Sequence, residues 1–468
     1  MGKYKFFLKN IGFLAVSQFG TKLIGFFLIP LYTNVLSATE YGTYDIFTTS
    51  VNLLIPILTL NIVEATLRYA IDIEINKEEV FSISINLIIR GSFIVGFLLI
   101  VNHLLQISIL IDQYAIFFVL LFLVSALNSV VSCFARGINY IKEVSVAGVL
   151  TSSLIMILNV LFLLLLDMGL TGYFLATIIG LTVGTVLLLI KIRVWDIYIF
   201  LPSNQKLKKE MLSYSKPMIA NSISWWINSV SDRYIVTWLC GLAANGIYAV
   251  GYKIPSILNI FQTIFNQAWT LSAVRDFNAE DESGFFSKIY NLYNFGMVII
   301  CSFMIVLTKP LARLLYAKDF YEAWKYVPFL MLSVVFGALS GYLGGIFSAV
   351  KQSKVFAQST TAGAVINIIL NFVLIEQWGT IGAAIATAIS YGVVWGIRIK
   401  QVKKHINIKI SFMRDFVVYG ILVVQSILLI KIETQLALLY SLELLLIILV
   451  IFLFRKEVME IKSILMRR

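Results

Sequence analysis

One nine-residue phrase is written twice in this 468-residue chain, and it constrains the fold more than any single residue does. Gly169-Leu170-Thr171-Gly172-Tyr173-Phe174-Leu175-Ala176-Thr177 and Gly379-Thr380-Ile381-Gly382-Ala383-Ala384-Ile385-Ala386-Thr387 both read G-x-x-G-x-x-x-A-T, 210 positions apart, and each opens a long apolar segment. Other anchors recur in the same order at nearly the same offset. Gly42-Thr43-Tyr44 pairs with Gly246-Ile247-Tyr248, Asp72 with Asp276, Lys142 with Lys354, and Asn159 with Asn371. Collinear anchors of this kind mark an internal duplication, so the chain is expected to build two equivalent lobes. Small residues at this spacing let helices approach closely in lipid, and the phrase itself reads as packing.

The medium of those lobes follows from composition. Hydrophobic residues make up 59% and charged residues 13% of the chain, with a mean hydropathy of +0.90; soluble domains carry about 25% charged residues. A bilayer-spanning helix needs about 20 mostly apolar residues. Fourteen such runs centre near 22, 55, 90, 124, 155, 182, 226, 258, 297, 337, 365, 390, 422 and 445. They are numbered here as spans 1 to 14. The expected fold is therefore an all-α integral membrane protein with about 14 transmembrane helices. Spans 1–6 form a lobe over residues 1–203, spans 7–12 a second over 204–404, and spans 13–14 an appendix over 405–468. Six spans per lobe is an even number, so the lobes run parallel and leave a cavity for alternating access. The first apolar run is too long for a cleavable signal and lacks an A-x-A-like site.

The net charge of +12 does not point to nucleic acid once its distribution is read. With a cytoplasmic N-terminus, 28 of the 37 Lys and Arg fall on the inner side, five on the outer side and four at membrane depth. That asymmetry is the positive-inside rule, which places both termini in the cytoplasm. The outer loop 309–325, with Lys309, Arg313, Lys318 and Lys325, is the one local exception. Trp195 and Trp324 read as interfacial belt residues. Cys133, Cys240 and Cys301 sit in apolar segments without metal or disulfide spacing, and two histidines cannot make a multi-histidine metal site. No cofactor is expected, and no nucleotide-binding loop occurs.

Ionisable residues at membrane depth are the informative ones, because each is costly there and faces a partner or a watery cavity. They are Lys22 in span 1, Asp45 and Glu64 in span 2, Arg90 in span 3, Asp232 and Arg233 in span 7 and Lys253 in span 8. Lys22 and Lys253 fall in opposite lobes and suit an anion such as a phosphate or pyrophosphate; the alternative is an interior ion pair, such as Lys22 with Glu64. Gln18 lies one turn before Lys22, and Gln262, Asn266 and Trp269 stand at i, i+4 and i+7 on one face of span 8. Amides and an aromatic so arranged suit sugar hydroxyls and ring faces, or else bond helix to helix. Arg90 and Arg233 are further candidates for the substrate, and Asp232 and Glu64 for coupling to protons or sodium.

The opening Asn10-Ile11-x-Phe13, Ile29-Pro30-Leu31-Tyr32, Glu40-Tyr41-Gly42-x-Tyr44, the Ala135-Arg136-Gly137 turn and the two repeated starts together resemble the polysaccharide-exporter branch of the MOP superfamily, the Wzx-type flippases. The resemblance covers nearly the whole chain. It implies movement of an undecaprenyl-pyrophosphate-linked oligosaccharide between leaflets of the bacterial cytoplasmic membrane, with the headgroup in a cationic cavity and the polyprenyl tail in lipid. Glycosyltransferases and a polysaccharide polymerase are the implied partners. Lys22 and Lys253 match where the related MurJ-like lipid II flippases place Arg, although Lys is a point charge and not a bidentate fork. Three rivals exist: a MATE-like cation-coupled drug exporter, which would want an acid in span 1; a lipid II flippase; and a membrane enzyme such as a polysaccharide polymerase. The 309–325 loop offers a polymerase no nucleophile with a positioned base, so the chain reads as a transporter rather than an enzyme.

Overall fold

The computed structural model describes residues 25–198, 204–275, 277–282, 284–350, 352–432 and 434–466. Lys22, Gln18 and Asp276 lie outside them. Every regular element among the described residues is helical. Among the described residues, ten helices are long and apolar enough to cross a membrane, and an eleventh span is a bent pair. The ten are span 3 (Lys77–Leu105), span 4 (Ala115–Gly137), span 5 (Ile141–Leu165), span 6 (Gly169–Lys191), span 9 (Phe285–Val306), span 10 (Val327–Ala349), span 11 (Lys354–Trp378), span 12 (Thr380–Val402), span 13 (Phe412–Lys431) and span 14 (Leu436–Leu453). The bent pair is span 2, Ala38–Leu58 and Ile62–Ile71.

Spans 7 and 8 stand apart. Span 7 is one helix of 36 residues, Gln205–Cys240, and span 8 is two helices, Leu242–Gly251 and Pro255–Arg275. Apart from span 1, these are the expected spans missing from the apolar set. Leu242–Gly251 is apolar but too short to span, and the Asn, Gln, Ser and charged content of Gln205–Cys240 and Pro255–Arg275 makes them less apolar than the other spans.

The chain divides into two compact units, one running to Val230 and the other beginning at Ser231. The expected boundary was residue 204. The difference arises because Gln205–Cys240 is continuous and its first half packs with the earlier spans. Leu207 and Met211 belong to the first unit's core with Phe47, Phe122 and Phe174, and Trp226 Nε1 donates to the Thr49 carbonyl at 3.0 Å.

In the first unit the sequence motifs meet. Ser37 caps span 2 in a capping box with Glu40, satisfying backbone donors that lipid would leave bare. Tyr44 stacks on Tyr173 at 3.7 Å and Tyr32 lies 4.5 Å from it. Tyr44 and Thr177 share a hydrogen bond of 2.8 Å. The second unit is organised around span 10, 83% of whose apolar window is buried. Spans 13 and 14 pack through a polar seam in which Ser302 donates to Gln425 at 2.8 Å and Gln425 to Glu443 at 2.7 Å. A last helix, Arg455–Met466, is tied down by Arg414 to Glu457 and by Lys288 to Glu460 at 3.4 Å.

The 309–325 segment is structured rather than a free basic loop. It forms a helix, Thr308–Leu315, and a 3-10 segment, Lys318–Lys325. Lys309 is buried, donates to the Ile432 carbonyl at 3.1 Å and lies 4.6 Å from the Trp324 ring. Trp324 is thus a buried cation partner and not a belt residue, whereas Trp195 is exposed as a belt residue would be.

Candidate functional site

Two polar places emerge, one in each unit. In the second unit Asp232 is buried in mid-span 7, where an uncompensated carboxylate is costly. Its Oδ2 accepts from Tyr248 Oη at 2.7 Å and Tyr252 Oη at 2.6 Å, and Thr387 Oγ1 lies 3.4 Å away. Asn367 continues the chain, with Nδ2 3.3 Å from Thr387 Oγ1 and Oδ1 accepting from Asn371 Nδ2 at 2.9 Å and Ser231 Oγ at 3.4 Å. Asn371 Oδ1 is buried and has no hydrogen-bond partner among the described residues. Carboxylate, amide and hydroxyl oxygens gathered in a dry interior suit a proton or a small monovalent cation.

This cluster gathers the repeat anchors. Tyr248 and Thr387 come from the duplicated G-x-Y and G-x-x-G-x-x-x-A-T phrases, and Asn371 is the counterpart of Asn159. In the first unit the equivalent Tyr44 and Thr177 bond to each other, whereas in the second Tyr248 and Thr387 both donate to Asp232. The phrase therefore does more than pack: its last residue carries a hydroxyl to the tyrosine of the other motif in the first unit and to Asp232 in the second. Asn367 and Thr387 were not expected as site residues, and recurrence of their neighbours at one offset was the available signal.

Of the other candidates, Arg233 is half-buried with its guanidinium 5.0 Å from the Tyr252 ring. Lys253 sits at the turn where span 8 breaks before Pro255, half-buried, its N–H donating to Val250 at 2.9 Å. Arg90 is exposed at the middle of span 3, and no ion pair or hydrogen bond joins its side chain to another described residue. The span 8 stripe separates on folding. Gln262 and Asn266 are half-buried, but Trp269 is fully buried, donates to the Tyr342 carbonyl at 2.8 Å and stacks on Tyr342 at 4.3 Å. Trp269 is a core aromatic here, because the face it shares with the amides turns into span 10. Arg398, counted among inner-side charges, is buried instead. It donates to Ser359 Oγ at 2.9 Å, the Ser340 carbonyl at 2.8 Å and Thr360 Oγ1 at 2.8 Å, bracing spans 10, 11 and 12.

In the first unit a cavity of about 320 Å³ opens at the break of span 2, lined by residues that include Asn52, Asn61, Glu64, Asn221, Trp225 and Trp226. Glu64 is exposed on its wall. Among the described residues no group of three or more His, Cys, Asp or Glu is placed to hold a metal.

A family model described as "Polysaccharide biosynthesis protein" matches residues 7–270. The chain belongs to this family. The match takes in both motifs of the first unit, the polar half of span 7 and Asp232. A probable low-salt glycan biosynthesis flippase, Agl15 of Haloferax volcanii, is 23% identical over 212 residues, 44% of each chain. The chain thus aligns with less than half of that relative's length. Among solved structures, the lipid II flippase MurJ in an inward closed conformation superposes with a TM-score of 0.68 at 15% identity, covering 96% of this chain and 99% of that one. An inward-facing MATE-family multidrug resistance transporter of the MOP superfamily gives 0.65 at 15% identity over 83% and 95%. At such identities the likeness is one of fold, and it matches the expected all-α membrane architecture of the MOP superfamily.

Proposed function

We propose that this chain is a flippase carrying an undecaprenyl-pyrophosphate-linked oligosaccharide across the bacterial cytoplasmic membrane by alternating access, with both termini cytoplasmic. The observation that carries the reading is Arg90: a guanidinium exposed at the middle of a 29-residue apolar helix, without a partner among the described residues. A charge there does not face hydrocarbon, so it faces water or an anion. Lys253 adds a second cation at a helix break, and Lys22 and Gln18 join them on sequence grounds, as do Arg233, Gln262 and Asn266. The family membership and the names of the relatives favour a lipid-linked glycan as the anion-bearing cargo. Glycosyltransferases would supply it and a polymerase would consume it.

Coupling is assigned to Asp232 rather than Glu64. Asp232 accepts from two tyrosine hydroxyls in a buried setting, whereas Glu64 is exposed and its side chain is bound to no described group.

The test is reconstitution of the purified protein in vesicles with a fluorescent undecaprenyl-pyrophosphate-linked saccharide, read by loss of signal to an impermeant quencher. Transfer faster than in protein-free vesicles is expected, and Arg90→Ala and Lys253→Ala should each slow it about tenfold, the effect of losing one charge-assisted contact. Transfer at the protein-free rate would overturn the reading.

A further inference from the structure

The cavity of the first unit explains a costly piece of backbone. Span 2 bends by 62° after Leu58, and Leu60 and Asn61 take φ of 55° and 52°, a left-handed conformation that is strained for leucine. The break is held on purpose-built contacts. The Asn61 N–H reaches back to the Pro56 carbonyl at 2.8 Å, Asn61 Nδ2 donates to Ser222 Oγ at 3.2 Å, and Gly91 of span 3 presses on the Leu58 carbonyl, where a Cβ would stand at 3.2 Å. Irregular backbone at membrane depth survives only where it is buried in protein or lines a watery cavity, and this one lines a cavity of about 320 Å³.

The lining decides the ligand. Asn52, Glu64 and Asn221 make no hydrogen bond or ion pair with another described residue through their side chains. Trp225 exposes 66% of its surface, while its neighbour Trp226 is anchored to Thr49. Among the described residues that line the cavity there is a carboxylate and no Lys or Arg, a lining that repels a phosphate. Free amides, a carboxylate acceptor and an open indole face match the hydroxyls and C–H face of a pyranose ring. We infer that this cavity is a saccharide-binding subsite, taking a neutral or amino sugar of the cargo while the pyrophosphate is held elsewhere; the inference rests on the flippase reading.

Binding of the purified full-length protein is measured to two probes, synthetic undecaprenyl pyrophosphate and the lipid-linked glycan pool extracted from the cells that make the protein. The wild type should bind the glycan-bearing lipid about tenfold more tightly than the bare lipid. Trp225→Ala and Asn221→Ala should each remove that preference and leave bare-lipid affinity within about twofold, and Trp225→Phe should keep most of it. Equal binding of both lipids by the wild type, or a preference that survives Trp225→Ala, overturns the subsite alone. Binding of neither lipid overturns the flippase reading and the subsite with it.

Discussion

Replacing Asp232 with asparagine is expected to leave a folded protein whose transport no longer responds to an ion gradient, while replacing it with alanine should also destabilise the second unit. Both outcomes follow from the same geometry. Asp232 Oδ2 accepts two short hydroxyl bonds, from Tyr248 and Tyr252, and its backbone neighbour Arg233 donates its N–H to Oδ1 at 2.9 Å. An asparagine carbonyl oxygen can still accept from a tyrosine, so the cage keeps its shape, but the charge that would bind a proton or cation is gone. Alanine removes the acceptor altogether. Each buried hydroxyl left unsatisfied costs about 1–3 kcal/mol, and two of them exceed what a surface substitution would do. The alanine variant should therefore melt several degrees lower in detergent than the wild type and the asparagine variant. Ion dependence is read in proteoliposomes with and without a sodium or proton gradient. An Asp232→Asn protein that keeps the wild-type dependence would move coupling to another residue, and Glu64→Gln would be tested next.

How far the sequence led is best judged from individual residues. Spans 3–6 and 9–14 were legible because a lipid-facing helix must be apolar along its length, and that signal needs no tertiary context. The repeat was legible because both copies answer the same packing demand. What escaped was whatever depends on which side of a helix another helix covers. Gln262, Asn266 and Trp269 share one face by period, but period does not say that this face turns toward span 10, so Trp269 became a core residue. Arg398 lies near the end of span 12, and linear distance to that end placed it in the inner-side count. Its three acceptors come from spans 10 and 11, which only the folded unit brings to it. The break of span 2 was half visible, since Pro56 marks a weak point, but the left-handed Leu60 and Asn61 have no sequence signature of their own.

The repeated phrase supplies the other large effect. Gly382→Ala should prevent the second unit from folding properly, for a reason confined to one atom. A Cβ at Gly382 would stand 2.1 Å from the Leu374 carbonyl oxygen, 2.4 Å from its carbon and 2.8 Å from the Ile375 nitrogen. All three belong to the backbone of span 11, which cannot swing aside as a side chain would. The turn joining spans 11 and 12 has no slack either, since Gly379 holds it with φ of 63°, a region that L residues avoid. The helices must then separate, and overpacking a close-fitted contact costs about 1–3 kcal/mol even where side chains can yield; against fixed backbone we expect at least the upper end. The separation would also carry Thr387 away from Asn367 and Asp232, so ion coupling and stability should fail together. Gly396→Ala, in the same span with nothing within 4 Å of the added carbon, is the control and should behave as wild type. Gly172→Ala in the first copy should be milder, because its nearest contacts, the β-carbons of Met168 and Phe162, stand at 2.9 Å rather than 2.1 Å and the helices need move less. Monodispersity after detergent extraction and the thermal midpoint are the readouts. A Gly382→Ala protein as stable as Gly396→Ala would show that the two spans are not packed as closely as this phrase requires.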